Sequence, residues 1–386
     1  MVRPGIQYDH GYGACLNSPA TTLTSLLGLA VADAFGCPFE FHEGAPEFSR
    51  LSIDEGRYLS CWDDVRQPVR RCRTSGLYSD DAQQSLILLW IWGQMVAKGR
   101  DPMRIDHMAE LFIKVCRRMA DEPVLGTLSF GLHRGTGQNF RSVILRGVVP
   151  DTAGLGGAMR IGPVATLIDD PALVMPWAVG VSASTTTHAV GLAGAAMVAA
   201  YAWHTSRYGW DPEPDFRALG LDDLTQDVQD AFALMKKALL VLRNRDEKAL
   251  LDFATKTGIS SHPLQCAADG FALTGVPWII HAVDQATSFE DALLRVCASG
   301  GDTDTVAAVA GCLAALRFGM ESIPSWMVDG LVGREHVVDP NLWHPLGSES
   351  PYVRMDKELQ NKIEQQLRII AAAQPRKGGK RKHRNP

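Results

Sequence analysis

The stretch GGDTDTVAAVAGCLAAL (300–316) decides the reading of the chain. From Val306 to Leu316 it is apolar on every side of a helix and rich in small residues. Such a segment is stable only when surrounded by other helices in a large core. VGLAGAAMVAAY (190–201) has the same character, so the core holds at least two such helices. Around them the periodicity stays helical. Met108, Leu111, Phe112, Val115, Cys116 and Met119 share one helix face, as do Leu86, Leu89, Trp90, Gly93 and Val96 on a helix beginning near Gln83. Val228, Ala231, Phe232, Met235, Leu239 and Leu242 mark a third amphipathic helix. Alternating strand patterns are nearly absent, and connectors rich in Pro and Gly fall at 120–127, 147–163, 206–220 and 259–264. The expectation is an all-α fold: one large compact helical domain over 21–345. It is flanked by an N-terminal extension (1–20), a C-terminal helical appendix (346–373, helical from 355) and a basic disordered tail (374–386).

With 386 residues, 46% of them hydrophobic, the chain has ample apolar mass for one core, which excludes disorder and a small disulfide scaffold. The net charge of −5 hides a split. Arg376–Pro386 holds six basic residues and no acid; without them 32 basic residues face 43 acidic ones, a net of −11. A body so acidic excludes a broad nucleic-acid face, leaving the basic tail as the one route to nucleic acid. It also repels an anionic substrate unless a cation intervenes. No run of about 18 uncharged apolar residues exists, so no membrane span is expected, and the N-terminus lacks a signal-peptide core. The eight cysteines are scattered with no CxxC pair, arguing against zinc and structural disulfides and for a reduced, cytoplasmic protein. The chain is read as a monomer.

Two acidic clusters open helices. Ser79-Asp80-Asp81 precedes one, and alone reads as a cap, because one Ser or Asp oxygen accepts a bond from an orphan helix N–H. Asp302-Thr303-Asp304-Thr305 repeats the device 221 residues later, behind two glycines that permit a tight turn. Paired carboxylates at the start of a buried helix are costly unless neutralised. Oxygen ligands without Cys or His point to a hard ion, Mg²⁺ with Mn²⁺ as the alternative; four carboxylates and the hydroxyls of Ser79 and Thr305 suffice for two ions. In GLAVADAFGCPFE (28–40), small residues at 28, 32 and 36 mark close helix packing. Asp33 there reads as a partner for a neighbouring helix terminus. Glu40, after Gly36 and Pro38, reads either as structural or as a carboxylate projecting into a site.

Together these segments resemble the ADP-ribosylglycohydrolase family, which includes dinitrogenase reductase-activating glycohydrolase. Its members carry G-x-x-x-G-D-A-x-G-x-P-x-E, then T-D-D-T before a helix, then G-G-D-T-D-T before a late buried helix. GLAVADAFGCPFE (28–40), SDDA (79–82) and GGDTDT (300–305) follow in that order. GLGGAMR (154–160) looks like the family's G-N-G-A-x-M-R loop, Thr187-His188 like its Thr-His pair, and the likeness spans 22–326. The resemblance implies an all-α bundle with two Mg²⁺ ions held by Ser79, Asp80, Asp81, Asp302, Asp304 and Thr305. Asp80, Asp81 and Glu40 become the candidate catalytic carboxylates. Gly154, Leu155, Gly156, Gly157, Ala158 and Met159 become the ADP-ribose loop, with His188 nearby, although a lone His among small residues also reads as a core histidine. Departures are Ser79 and Ala82 for the two Thr of T-D-D-T, Ala32 for Gly and Leu155 for Asn. The implied activity is hydrolysis of ADP-ribose from a modified protein, arginine-linked first, with serine, poly-ADP-ribose or nucleic acid as other acceptors. The contrasting expectation is an immunity protein that blocks an ADP-ribosyltransferase toxin by occlusion.

Overall fold

The Ala-rich segment after Asp302 forms helix α13 (Thr303–Phe318), buried continuously from Thr303 to Ala315. Its principal neighbour is α1 (Pro19–Gly36). The two approach through glycine: a methyl group built at Gly28 would fall 2.5 Å from the Gly311 carbonyl oxygen, and one at Gly311 would run into Ala32. The small residues at 28, 32 and 36 are therefore the contact stripe, and Ala32 fits it. The computed structural model describes residues 19–67, 74–121, 136–260, 262–334 and 337.

Around this pair lie α2 (Ala45–Glu55), α3 (Asp80–Ala97), α4 (Ile105–Asp121), α5 (Gln138–Arg146), α6 (Ala158–Ala165) and α7 (Val174–Ser182). They are followed by α8 (Ala189–Tyr208), α9 (Gln226–Asn244), α10 (Glu247–Thr257), α11 (Ala272–Gln285), α12 (Phe289–Cys297) and α14 (Ser325–Gly330). The described residues contain no strand, only an isolated antiparallel bridge between Gly154 and Phe271. The second apolar segment forms α8, which packs on α6, α7, α9, α11 and α13. The three amphipathic stretches become α3, α4 and α9, with Met108, Phe112 and Cys116 of α4 buried. One hydrophobic cluster runs from Leu26 to Val337.

One expectation needs correction. The Pro- and Gly-rich span 147–163 is not all connector: α6 begins at Ala158 and keeps Pro163 inside it, because all eight of its residues are buried and packing overrides propensity. One helix, Ala20–Phe39, is long and apolar enough by composition to cross a membrane, but 83% of its apolar window is buried inside the fold. It is a core helix against α13. The N-terminal extension, the appendix and the basic tail lie outside the described residues except for residues 19 and 20.

Candidate metal centre and ligand cavity

Both acidic clusters open helices, and each has its backbone served by another group. At α3, the fully buried Asp33 of α1 accepts the Ser79 N–H at 2.8 Å with one oxygen and the Ala82 N–H at 2.9 Å with the other. Asp33 is thus a structural partner of the α3 terminus, complementing its positive end. The Ser79 hydroxyl accepts the Asp81 N–H at 3.3 Å and donates to Asp81 Oδ2 at 2.8 Å. At α13, Gly300 and Gly301 turn the chain at φ +70° and +74°. Gly301 is held so close that a Cβ would overlap the Ala268 carbonyl, so only glycine fits. Asp302 sits at the cap position but makes no capping bond with its side chain. Thr303 Oγ1 donates to the Gly36 carbonyl at 2.9 Å, tying the α13 start to the α1 end.

Glu40 follows the short 3₁₀ turn Cys37–Phe39. The next residue, Phe41, adopts φ +50°, a strained value for a non-glycine, and its N–H donates to the Gly301 carbonyl at 2.6 Å. This contact brings the α1 end to the metal-motif turn. Carboxylate oxygens of Glu40, Asp302 and Asp304 lie within 4.8 Å of one another, and Asp304 is equally close to Asp33 and the Cys37 thiol.

So many buried acids raise one another's pKa. Burial chiefly, then the Asp304 charge, pushes Asp33 up to about 7. Burial and the charge of Asp33 push Asp81 up to about 7. Asp302 rises well above the usual carboxylate range through burial and the charges of Asp304, Glu40 and Asp81. Among the described residues, Asp81 Oδ1 is buried with no hydrogen-bond partner. An orphaned carboxylate oxygen beside several acids is what a divalent cation would satisfy, and the oxygen donors suit a hard ion rather than zinc.

These groups open on a cavity of about 310 Å³. It is lined by Glu40, Asp80, Asp81, Asp302, Asp304 and Thr305, and also by Gly154, Leu155, Gly156, Gly157 and Met159. The loop is pinned by Leu155 N–H donating to Gly270 O at 3.2 Å and Ala272 N–H donating to Ala153 O at 2.8 Å. Leu155 packs against Gly275 of α11. Gly157 caps α6 without a side-chain bond. Ser79, Ala158 and His188 are not among the described lining residues. Ser79 stands behind Asp81, Ala158 is buried in α6, and His188 caps α8, its Nδ1 accepting the Val190 N–H at 3.2 Å.

Sequence reasoning missed Gln84, Arg160, Thr185 and Thr186, which also line the cavity. Gln84 lies one helical turn after Asp80, and its Nε2 donates to Asp80 Oδ2 at 2.6 Å. A signal existed for Arg160, the sole charge in the otherwise apolar AMRIGPVA.

The sequence profile of the ADP-ribosylglycohydrolase family matches residues 20–349. No curated protein sequence matches the chain. The fold is similar to a solved structure of an ADP-ribosylglycohydrolase-related protein complex, with TM-score 0.51 and 19% identity over 87% of this chain and 98% of that one. With a profile match running from α1 through α14, the chain belongs to the ADP-ribosylglycohydrolase family of hydrolases acting on ADP-ribosylated substrates.

Proposed function

We propose that this chain is a Mg²⁺-dependent hydrolase that removes ADP-ribose from a modified acceptor, most directly a cytoplasmic protein carrying ADP-ribosylarginine. The observation that carries the reading is the sharing of one cavity by the carboxylates of both helix openings, Glu40 and the Gly154–Gly157 wall. Asp80, Asp81, Asp302, Asp304 and Thr305 would hold two Mg²⁺ ions, or Mn²⁺ in their place, with the Ser79 hydroxyl orienting Asp81. When bound, such ions supply the positive charge that an acidic cavity lacks for an anionic, hydroxyl-rich ligand.

The chain's own groups divide the remaining work. The uncapped start of α6 offers backbone N–H groups to the diphosphate. Leu155, Met159 and Phe140 give the cavity apolar walls that limit water. Glu40, Asp80 or Asp81 accepts the proton of a water at a carboxylate oxygen as the water oxygen bonds to C1″ of the ribose. The bond from C1″ to the acceptor nitrogen breaks with its electron pair staying on nitrogen, and the guanidine takes up the proton that the carboxylate accepted from water, which restores the carboxylate. Proton acceptance opposite a leaving group is the general logic of glycoside hydrolysis. His188, in the α8 cap, is assigned no step.

The test is incubation with arginine-linked, serine-linked, polymeric and nucleic-acid ADP-ribose substrates, with Mg²⁺ and with EDTA. Free ADP-ribose is expected from the arginine-linked substrate with Mg²⁺ and none with EDTA. No release from any substrate, or release undiminished by EDTA, overturns the proposal.

A further inference from the structure

Arg160 is the largest charged side chain in the core, 1% exposed, yet it forms part of the cavity wall. It contacts four elements. One terminal nitrogen donates to Gln84 Oε1 of α3 at 2.9 Å and also to the Gly156 carbonyl of the cavity loop. The other donates to Thr185 Oγ1 in the connection between α7 and α8. The guanidinium lies over the Phe112 ring of α4, 5.1 Å from its centroid. Its Nε is enclosed and makes no hydrogen bond among the described residues, so the terminal nitrogens do the holding.

Burying a guanidinium on neutral acceptors is costly, and no carboxylate forms a direct ion pair with it among the described residues. What it achieves is a connection. Gln84, fixed at Oε1 by Arg160, presents its Nε2 to Asp80 Oδ2 at 2.6 Å. An amide so held can only donate to Asp80, so the Asp80 carboxylate is aimed by a rigid support rather than by a rotating side chain. At the other end, the Gly156 carbonyl is turned toward Arg160. Because a peptide unit is planar and trans, the N–H of Gly157 in the same unit points the opposite way.

We infer that Arg160 is a positioning residue that couples the ligand loop to the metal centre, holding Asp80 through Gln84 and the Gly156–Gly157 peptide directly. This rests on the proposed hydrolase reading for the identity of the ligands. Metal binding and ligand binding are both read without turnover, so the two ideas can fail separately.

The experiment measures Mn²⁺ affinity by titration calorimetry, and ADP-ribose affinity at saturating Mn²⁺, for wild type, Arg160→Met, Arg160→Lys, Gln84→Leu and the double variant Arg160→Met with Gln84→Leu. Loss of a residue supporting a metal ligand weakens metal binding by about 10-fold or more. Gln84→Leu is expected to weaken Mn²⁺ about 10-fold and ADP-ribose much less than Arg160→Met does; Arg160→Met is expected to weaken both. The double variant binds Mn²⁺ no worse than Arg160→Met, because both act through one chain of bonds. Arg160→Lys, which keeps the charge but not the fork, recovers part of the loss. Wild-type Mn²⁺ affinity in Gln84→Leu overturns the inference even if Arg160→Met fails to fold. So does a loss of ADP-ribose affinity in Gln84→Leu as large as in Arg160→Met, or a wild type that binds no Mn²⁺. A wild type that binds Mn²⁺ and ADP-ribose but hydrolyses no substrate overturns the proposed function and leaves the coupling standing.

Discussion

The two helix openings look alike in sequence, an acidic pair beside a hydroxyl, yet they are built differently. At α3 the Ser79 hydroxyl caps the Asp81 N–H, and Asp33, reaching over from α1, accepts the N–H groups of Ser79 and Ala82. At α13 the work is done by backbone conformation, through two left-handed glycines, and the cap residue Asp302 uses its side chain for no capping bond. The outcomes differ in one respect. At α3 the N–H groups of Ser79, Asp81 and Ala82 are served without drawing on Asp80 or Asp81, whereas at α13 Asp304 Oδ1 accepts the Thr305 N–H at 3.0 Å and only Asp302 stays out of the cap. At α3 the acid that takes over most of the cap, Asp33, lies far away in sequence.

The contrast can be broken at several points. The largest effect is on activity: Asp302→Ala or Asp304→Ala should lower ADP-ribose release by about 10³-fold or more, since each removes a charge from the proposed metal site. Turnover close to wild type in either variant removes that assignment. Next, the two glycines separate cleanly. Gly301→Ala meets the Ala268 carbonyl as well as an unfavourable φ, and should cost more than about 3 kcal/mol of stability. Gly300→Ala has open space around its Cβ and pays only the conformational term, about 1 kcal/mol. Equal melting temperatures for the two would show that the turn is not held as described. At the other opening, Asp33→Ala strands two buried N–H groups and should destabilise by about 2 kcal/mol, read by chemical denaturation.

The mildest perturbation is pH. Asp33 and Asp81 rise from 3.8 to about 7 on folding without a cation. The folded state thus holds protons that the unfolded state releases, and this contribution to stability, complete below pH 4, is lost as pH climbs through 7. The melting temperature of EDTA-treated protein should fall between pH 5 and pH 8, and Mg²⁺ should raise it more at pH 8 than at pH 5. A metal-free protein that gains stability over this range contradicts the crowding of acids described above.

Much of the architecture was legible because it rests on local patterns. The all-round apolar segments became α8 and α13, and the stripe at 28, 32 and 36 became the α1–α13 contact. Asp33 was readable as a terminus partner, and the carboxylates of the two clusters and Glu40 do open on one cavity. What escaped depended on tertiary support. Gln84 and Arg160 carry no motif of their own, and their meaning appears only when α3, α6 and the loop at Gly156 are brought together. α6 was hidden because Gly157, Gly162 and Pro163 signal a connector, while complete burial imposes a helix. His188 stood beside a plausible motif in sequence, but its ring is used to cap α8.

In the proposed reading the two openings bind ions jointly, and a calorimetric titration with Mn²⁺ tests this most directly. Wild type is expected to take up two ions, and Asp80→Ala at α3 and Asp304→Ala at α13 should each weaken or abolish that uptake. Either variant binding two ions with wild-type affinity would contradict a shared centre.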